Sequence, residues 1–219
     1  MTDAADYVDL VLEREGDWYR ADATRERILD GSRPAPRLEF TGASVGAVRG
    51  AIRDLGNKYP SMVHDEITAL ASELWRTPVF ERRLAAVVLL QARVSILRNS
   101  DLTRIEGFIR TAGVRELVDP LATDVVGPVL AGLDPGPRGH ADVAIDRWID
   151  DPDPWLCRAA LLSGVPATRT NGAEGADWPR MVRRLRATEA FVADPIVDEA
   201  VDAVRIALAK RSPDVPFPL

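Results

Sequence analysis

Five segments of this chain share one amphipathic pattern at nearly constant spacing, and this repeat restricts the possible folds more than any other sequence feature. Each segment carries its patterned residues at the first, fourth and sixth positions. The segments begin at Val45, Phe80, Leu117, Trp155 and Ile196. Successive starts are 35, 37, 38 and 41 residues apart. A period of this length predicts repeated helical units that stack on one another.

The period predicts an all-α fold, an α-solenoid of HEAT-like helical repeats that forms a C-shaped concave groove. Each unit of a solenoid buries its apolar face only against its neighbours, so one continuous core needs no internal boundary. We therefore expect a single domain over residues 1–219. It divides into an N-terminal helical cap at 1–37, repeats at 38–211 and an extended tail at 212–219. A curved surface of that kind suits a long partner.

Composition agrees with packed helices and favours a cytoplasmic protein. Hydrophobic residues make up 46% of the chain and aromatic residues only 6%, which is typical of helices rich in Ala, Leu and Val. We expect no membrane span and no secretory signal, since the first residues are acidic. Cys157 is the only cysteine, so an intrachain disulfide is impossible and a reducing compartment is favoured. Its position at a helix start predicts a small buried side chain.

Charge is unevenly distributed along the chain. The formal net charge is −6, which argues against a nucleic-acid partner, but residues 76–115 hold eight arginines against three acidic residues. A second basic cluster follows Trp178 and Pro179, at Arg180, Arg183, Arg184 and Arg186. Arginine suits bidentate phosphate contacts. We therefore expect these two basic regions to contact phosphate groups if the partner is DNA.

Helix signals divide the chain into helices and short connectors. Ser44, Ser61 and Thr77 are predicted caps, with Pro78 at a first helical position. The predicted helices cover 3–15, 17–30, 44–59, 61–75, 77–97, 101–111, 114–132, 139–150, 153–164, 176–193 and 195–211. The predicted breaks, rich in Pro and Gly, are 31–36, 133–138 and 165–175.

The common chemical motifs are missing. The chain has no P-loop, no Gly-rich dinucleotide turn and no paired-cysteine metal site. His64 and His140 are the only histidines, which excludes a multi-histidine site. Asp65 and Glu66 follow His64 directly and point to different helix faces. We therefore expect neither a metal nor a cofactor.

Several segments resemble the AlkD-like DNA alkylation repair proteins, which are HEAT-like-repeat DNA glycosylases. The resemblance covers about residues 38–215. The segments that carry it are Glu73–Ala86 (ELWRTPVFERRLAA), Arg115–Asp119 (RELVD) followed by Gly127, Trp148–Asp150 (WID), Trp155–Ala160 (WLCRAA), Phe40–Gly42 (FTG) and Ala209–Val215 (AKRSPDV). Each is short, but their order and spacing together are specific.

The resemblance implies excision of cationic N3- or N7-alkylpurines from duplex DNA by a monomeric, monofunctional enzyme. Asp119 would take the place of the catalytic aspartate that stabilises the sugar cation, and Arg158 that of the phosphate-binding arginine. Cationic purines are good leaving groups, so one carboxylate can suffice. Asp119 and Arg158 should open onto one groove. The other residues expected to bind DNA are Arg83, Arg115, Arg183 and Arg184.

The chain departs from the family pattern at two aromatic positions. Arg115 stands where one backbone-contacting tryptophan is expected, and Ala203 where the second is expected. Asp198 and Glu199 replace a polar and basic pair, which puts negative charge near the expected DNA track. The family also contains paralogues that lost activity.

The candidate residues also have structural interpretations. Asp119 before Pro120 can be a helix N-cap. Arg158, five residues after Asp153, resembles the arginine of an Asp–Arg pair that ties HEAT repeats together, and Arg83 holds the same repeat position. Three tryptophans fall on apolar registers that favour core positions, whereas Trp178 is the more plausible surface aromatic. These three are Trp75, Trp148 and Trp155.

Three functional hypotheses follow. The first is a monofunctional glycosylase of alkylation repair. The second is a non-catalytic paralogue that binds damaged or branched DNA by shape. The third is a protein- or peptide-binding solenoid, which the acidic net charge favours.

Overall fold

A computed structural model describes residues 3–29, 37–166, 177–188 and 194–211, and within them the chain is helical with no strand. One isolated bridge pairs Glu39 with Val79. The helices are α1 (Asp3–Arg14), α2 (Trp18–Leu29), α3 (Val45–Lys58), α4 (His64–Arg76), α5 (Phe80–Ala92), α6 (Leu102–Ala112), α7 (Arg115–Leu121), α8 (Gly127–Gly132), α9 (Pro135–Ile149), α10 (Pro154–Leu162), α11 (Trp178–Ala187) and α12 (Pro195–Arg211). The predicted all-α class is confirmed. Among these helices none has the length and the apolar run that a membrane crossing needs.

The five repeated segments lie at helix starts. Val45 and Phe80 are the first residues of α3 and α5, and the other three segments begin within the first three residues of α7, α10 and α12. The first residue of each segment does not always lie in the apolar core, because Val45 is 50% exposed whereas Phe80 is 4% exposed. The repeat therefore marks recurring helix N-termini. The C-shaped solenoid and the single domain stay predictions.

The described residues group into two compact units. The first comprises Met1–Leu97 with Ala112–Leu117, and the second comprises Arg98–Thr111 with Val118–Leu219. In the first unit, α5 packs against α3 and α4, and α1 packs against α3 and α5. In the second, α10 packs against α9 and α12, and α11 contacts the same two helices. Each unit buries its own set of aliphatic side chains.

A buried carboxylate fixes the loop that precedes α3. Glu81 is 1% exposed and accepts hydrogen bonds from the backbone N–H groups of Thr41 and Gly42, both at 2.9 Å. Gly42 has a φ of 77°, and a Cβ at this position would overlap the carbonyl oxygen of Asp17. Only glycine fits there without strain. This loop is therefore a structural clamp within the first unit.

A second buried charge attaches α1 to α5. Arg82 is 8% exposed, and its Nε lies 2.7 Å from Oδ1 of Asp9. Arg82 also donates to the Thr77 hydroxyl. Burial raises the pKa of Asp9, while the charge of Arg82 acts in the opposite direction. The N-terminal helix is thus anchored by an ion pair as well as by apolar packing.

Two predicted caps are wrong. The helix expected to start after Ser61 starts at His64, because the Glu66 carboxylate accepts the Val63 N–H at 2.9 Å and closes the first turn from within. The helix expected at Thr77 starts at Phe80. There the backbone bonds to Glu39 instead: Glu39 donates to the Pro78 carbonyl and Phe80 donates to the Glu39 carbonyl, each at 2.8 Å.

Two predicted boundaries also move. The helix expected to reach Leu97 ends at Ala92, and a 3₁₀ turn at Val94–Ile96 follows. The break expected at 133–138 lies largely inside α9, whose first residue is Pro135. Prolines are tolerated in a first turn, where their missing N–H would have no helical acceptor. The predicted break at 31–36, most of the break at 165–175, part of the helix at 176–193 and the tail at 212–219 lie outside the described residues.

Candidate functional site around Asp119 and Arg158

Asp119 and Arg158, the two residues that the resemblance singles out, form a bidentate ion pair with each other in the second unit. Nε of Arg158 lies 2.6 Å from Oδ1 of Asp119, and Nη2 lies 2.7 Å from Oδ2. The Arg158 side chain is 6% exposed, and the Asp119 side chain is 34% exposed. A planar guanidinium that binds both carboxylate oxygens fixes the orientation of the carboxylate. The site therefore presents an anion to solvent in one defined orientation.

The third guanidinium nitrogen of Arg158 binds the first turn of α12. Nη1 donates to the Ile196 carbonyl at 2.8 Å and to Oε2 of Glu199 at 3.2 Å. Burial by itself would lower the pKa of Arg158, but the hydrogen bonds and charges of Asp119 and Glu199 outweigh it, and the pKa is raised. Arg158 thus remains charged and connects α7, α10 and α12.

The local helix geometry places Asp119 away from a helix end. Asp119 is the fifth residue of α7 and Pro120 lies inside the same helix, so the N-cap interpretation of Asp119 is wrong. A five-residue π-helical segment follows at Ala122–Val126, and Thr123 Oγ1 donates to the Asp119 carbonyl at 2.9 Å. Pro120 has no N–H to donate within the helix. A single π-helical turn such as the one at Ala122–Val126 is often found next to functional residues.

The Asp–Arg pair expected within α10 does not form. Asp153 is the N-cap of α10 and accepts the Trp155 N–H at 3.0 Å. Burial raises the pKa of Asp153, and Nη1 of Arg110 lies 3.9 Å from its Oδ2. Arg158 instead reaches two other helices. Glu199, which the sequence identified only as a negative charge near the expected DNA track, holds the same repeat position as Arg158 and Arg83, and its contact with Arg158 was not predicted.

Besides Arg158, two more of the predicted DNA-binding arginines are buried. Arg83 is 8% exposed, donates to the Trp75 carbonyl at 3.3 Å and lies over the Trp75 ring at 5.2 Å. Arg184 is 7% exposed, and its Nε lies 2.8 Å from Oδ1 of Asp146. Burial lowers the pKa of both arginines. Their phosphate contacts stay predictions, and their burial favours structural roles.

The remaining two predicted arginines, Arg115 and Arg183, are exposed. Arg115 is the first residue of α7, the helix that carries Asp119. Arg183 lies in α11, beside the buried Arg184. Exposed guanidinium groups reach phosphate at little cost in desolvation. Contact of Arg115 and Arg183 with DNA phosphates stays a prediction.

The tryptophans and the cysteine divide by burial. Trp75 and Trp148 are 5% and 2% exposed, and the indole of Trp148 donates to Glu106 at 2.9 Å; their predicted core positions are confirmed. Trp155 is half-buried, and the Trp178 side chain lies outside the described part. Cys157 is fully buried as predicted, and burial raises the pKa of its thiol to about 12.

No cluster of three or more His, Cys, Asp or Glu side chains in the described ranges is arranged to hold a metal. Nδ1 of His64 lies 2.7 Å from Oδ1 of Asp65, which accepts the hydrogen bond. His140 lies on α9 and is exposed. Asp119 itself offers one carboxylate, oriented by Arg158.

Comparison with known proteins identifies a family for the chain. A search of curated proteins found no match. The family model described as DNA alkylation repair enzyme matches residues 19–201. That match includes Asp119, Arg158 and Glu199. The chain belongs to the DNA alkylation repair enzyme family.

Proposed function

We propose that the chain is a monofunctional DNA glycosylase that excises cationic N3- or N7-alkylpurines from duplex DNA. The observation that supports this most strongly is the geometry of Asp119 in a chain of this family. Its carboxylate is oriented by two hydrogen bonds from buried Arg158 and keeps a 34% exposed side chain. An oriented, accessible anion is what a developing sugar cation needs.

The proposed reaction breaks one bond and forms one. The C1′–N bond of the alkylpurine breaks, its electron pair neutralises the cationic base, and positive charge develops on the sugar. The Asp119 carboxylate stabilises that charge. The oxygen of a water molecule then bonds to C1′, and a proton leaves to solvent. Both oxygens of Asp119 accept hydrogen bonds from Arg158, so the role proposed for Asp119 is electrostatic rather than proton transfer.

Contacts with the DNA backbone are proposed for exposed arginines. Arg115 and Arg183 are both accessible. Arg158 uses four N–H contacts within the protein, so we propose that it orients Asp119 rather than reaching a phosphate directly. Binding through phosphate contacts should weaken steeply with salt.

A non-catalytic DNA-binding paralogue is the second candidate. The observation in its favour is that Arg158 faces protein groups, while Arg115 and Ala203 occupy the two expected tryptophan positions. A paralogue of this type would bind branched or damaged DNA without releasing bases. A protein-binding solenoid is a further alternative if DNA binding is absent.

Base release from methylated duplex DNA distinguishes these candidates. The protein is incubated with methylated DNA, and free 3-methyladenine and 7-methylguanine are measured by chromatography and mass spectrometry, with a gel-shift titration at low salt in parallel. We expect release above the protein-free control, unchanged by EDTA. Binding without release would favour the paralogue, and no binding would favour the protein-binding solenoid.

A further inference from the structure

Glu199 shares the guanidinium of Arg158 with Asp119. Asp119 occupies Nε and Nη2, and Glu199 binds Nη1 at 3.2 Å. All three residues lie in the second unit. The Glu199 side chain is 45% exposed, so it lies, like Asp119, between the buried guanidinium and solvent.

The charges of these three residues do not cancel. Asp119 and Arg158 alone form a neutral pair, which stabilises a nearby cation far less than a net charge does. With Glu199 the three groups carry one net negative charge. If Arg158 bound a DNA phosphate, that phosphate would be the second anion beside it, after Asp119. In this structure the second anion is the carboxylate of Glu199.

The attachment of Glu199 is fixed by its helix. Ile196, one turn earlier on α12, accepts from the same Nη1 at 2.8 Å. Val197 and Ala200, which flank Asp198 and Glu199 in the sequence, are 1% and 0% exposed. Buried neighbours of this kind restrict the helix to one position, so the distance from Glu199 to Arg158 is set by packing.

We infer that Glu199 is a positioning residue that keeps the Asp119–Arg158 pair net negative, so that the pair can stabilise the sugar cation. This inference rests on the proposed glycosylase function. Glu199 acts through Arg158. Its carboxylate neutralises part of the guanidinium charge, so the negative charge of Asp119 can stabilise the sugar cation of the substrate. The sequence alone suggested only that Glu199 would repel DNA.

The test compares Glu199→Gln, Glu199→Ala and Asp198→Asn with the wild type. Glu199→Gln retains an acceptor for Nη1 and removes the charge. Asp198→Asn removes an equal charge from the adjacent exposed residue of the same helix and is the matched control. Single-turnover release of 7-methylguanine gives the rate of the chemical step, a titration gives the Kd for DNA, and thermal unfolding verifies the fold.

We expect Glu199→Gln and Glu199→Ala to slow release similarly, with Kd unchanged or lower, while Asp198→Asn releases base at the wild-type rate. A unit charge within about 8 Å of the sugar, screened by an effective dielectric constant of about 20 to 40, changes a rate by roughly five- to thirty-fold. A loss in the rate without weaker binding separates this role from a structural one.

Three other outcomes contradict the inference in different ways. If the wild type releases base and Glu199→Gln releases it at the same rate, the inference is wrong and the glycosylase function stands. If Glu199→Gln binds DNA more tightly at an unchanged rate, Glu199 only occupies the position of a phosphate on Arg158. If the folded wild type releases no base, the proposed function fails and this inference fails with it.

Discussion

Arg158→Ala is expected to destabilise the protein, because this side chain connects three helices. The substitution removes two hydrogen bonds to Asp119 and two to the first turn of α12. It also removes a side chain that is 6% exposed. Breaking a buried ion pair by removing one partner costs about 3–5 kcal/mol.

The expected cost is lower because water can reach both remaining carboxylates. The side chains of Asp119 and Glu199 are 34% and 45% exposed, so neither is left as a fully buried charge. We therefore expect a loss of about 2–4 kcal/mol in the free energy of unfolding. For a chain of this length that corresponds to a fall in Tm of roughly 5–12 °C.

Thermal and urea unfolding followed by circular dichroism measure this effect. Arg183→Ala is the matched control, since it removes the same side-chain type from an exposed position and should change stability by less than about 0.5 kcal/mol. If Arg158→Ala melts within about 2 °C of the wild type while DNA binding is lost, the structural role assigned to Arg158 is refuted and a direct phosphate contact becomes the better account.

Further predictions concern the clamp, the thiol and pH. Glu81→Gln should cost at least about 2 kcal/mol in urea unfolding, because an amide cannot accept both backbone N–H groups with a full charge. Gly42→Ala should cost at least about 2 kcal/mol in the same assay, from its positive φ and the overlap with a backbone carbonyl. Cys157, with its pKa raised to about 12 by burial, should react with a thiol reagent at pH 8 only after denaturation, and rapid reaction of the native protein would contradict this. The hydrogen bond from Arg110 lowers the pKa of Asp151, so this pair stabilises the fold above the unfolded pKa of about 3.9 and loses its effect as pH falls through the folded pKa. The difference in Tm between the wild type and Asp151→Asn should therefore shrink in acid. A difference in Tm that stays constant with pH would contradict this.

The sequence predicted the helical class and the starts of several helices because these depend on local pattern. Ser44 caps α3 as expected, accepting the Ala47 N–H at 3.1 Å. The start of α5 could not be predicted from Thr77 and Pro78, which carry good local signals. A backbone pairing with Glu39, distant in the sequence, decides that boundary.

The candidate site shows the same division. The resemblance pointed to Asp119 and Arg158, but their mutual pairing depends on how α7 and α10 pack, which no local pattern contains. Glu199 was recognised only as a negative charge. Its contact with Arg158 requires the first turn of α12 to lie beside α10. Burial of Arg83 and Arg184 is equally a tertiary property, since a sequence that is rich in arginine does not distinguish a buried guanidinium from an exposed one.

The most direct test of the proposed catalytic role compares base release by the wild type with release by Asp119→Asn. Asparagine preserves the size of the side chain and one acceptor for Arg158, but it removes the charge that stabilises the sugar. Free 7-methylguanine is measured under single-turnover conditions, with the Kd for DNA and the Tm of both proteins determined in parallel. We expect release by the wild type and a loss of at least about 100-fold in Asp119→Asn with binding retained. Equal release by the two proteins would contradict it.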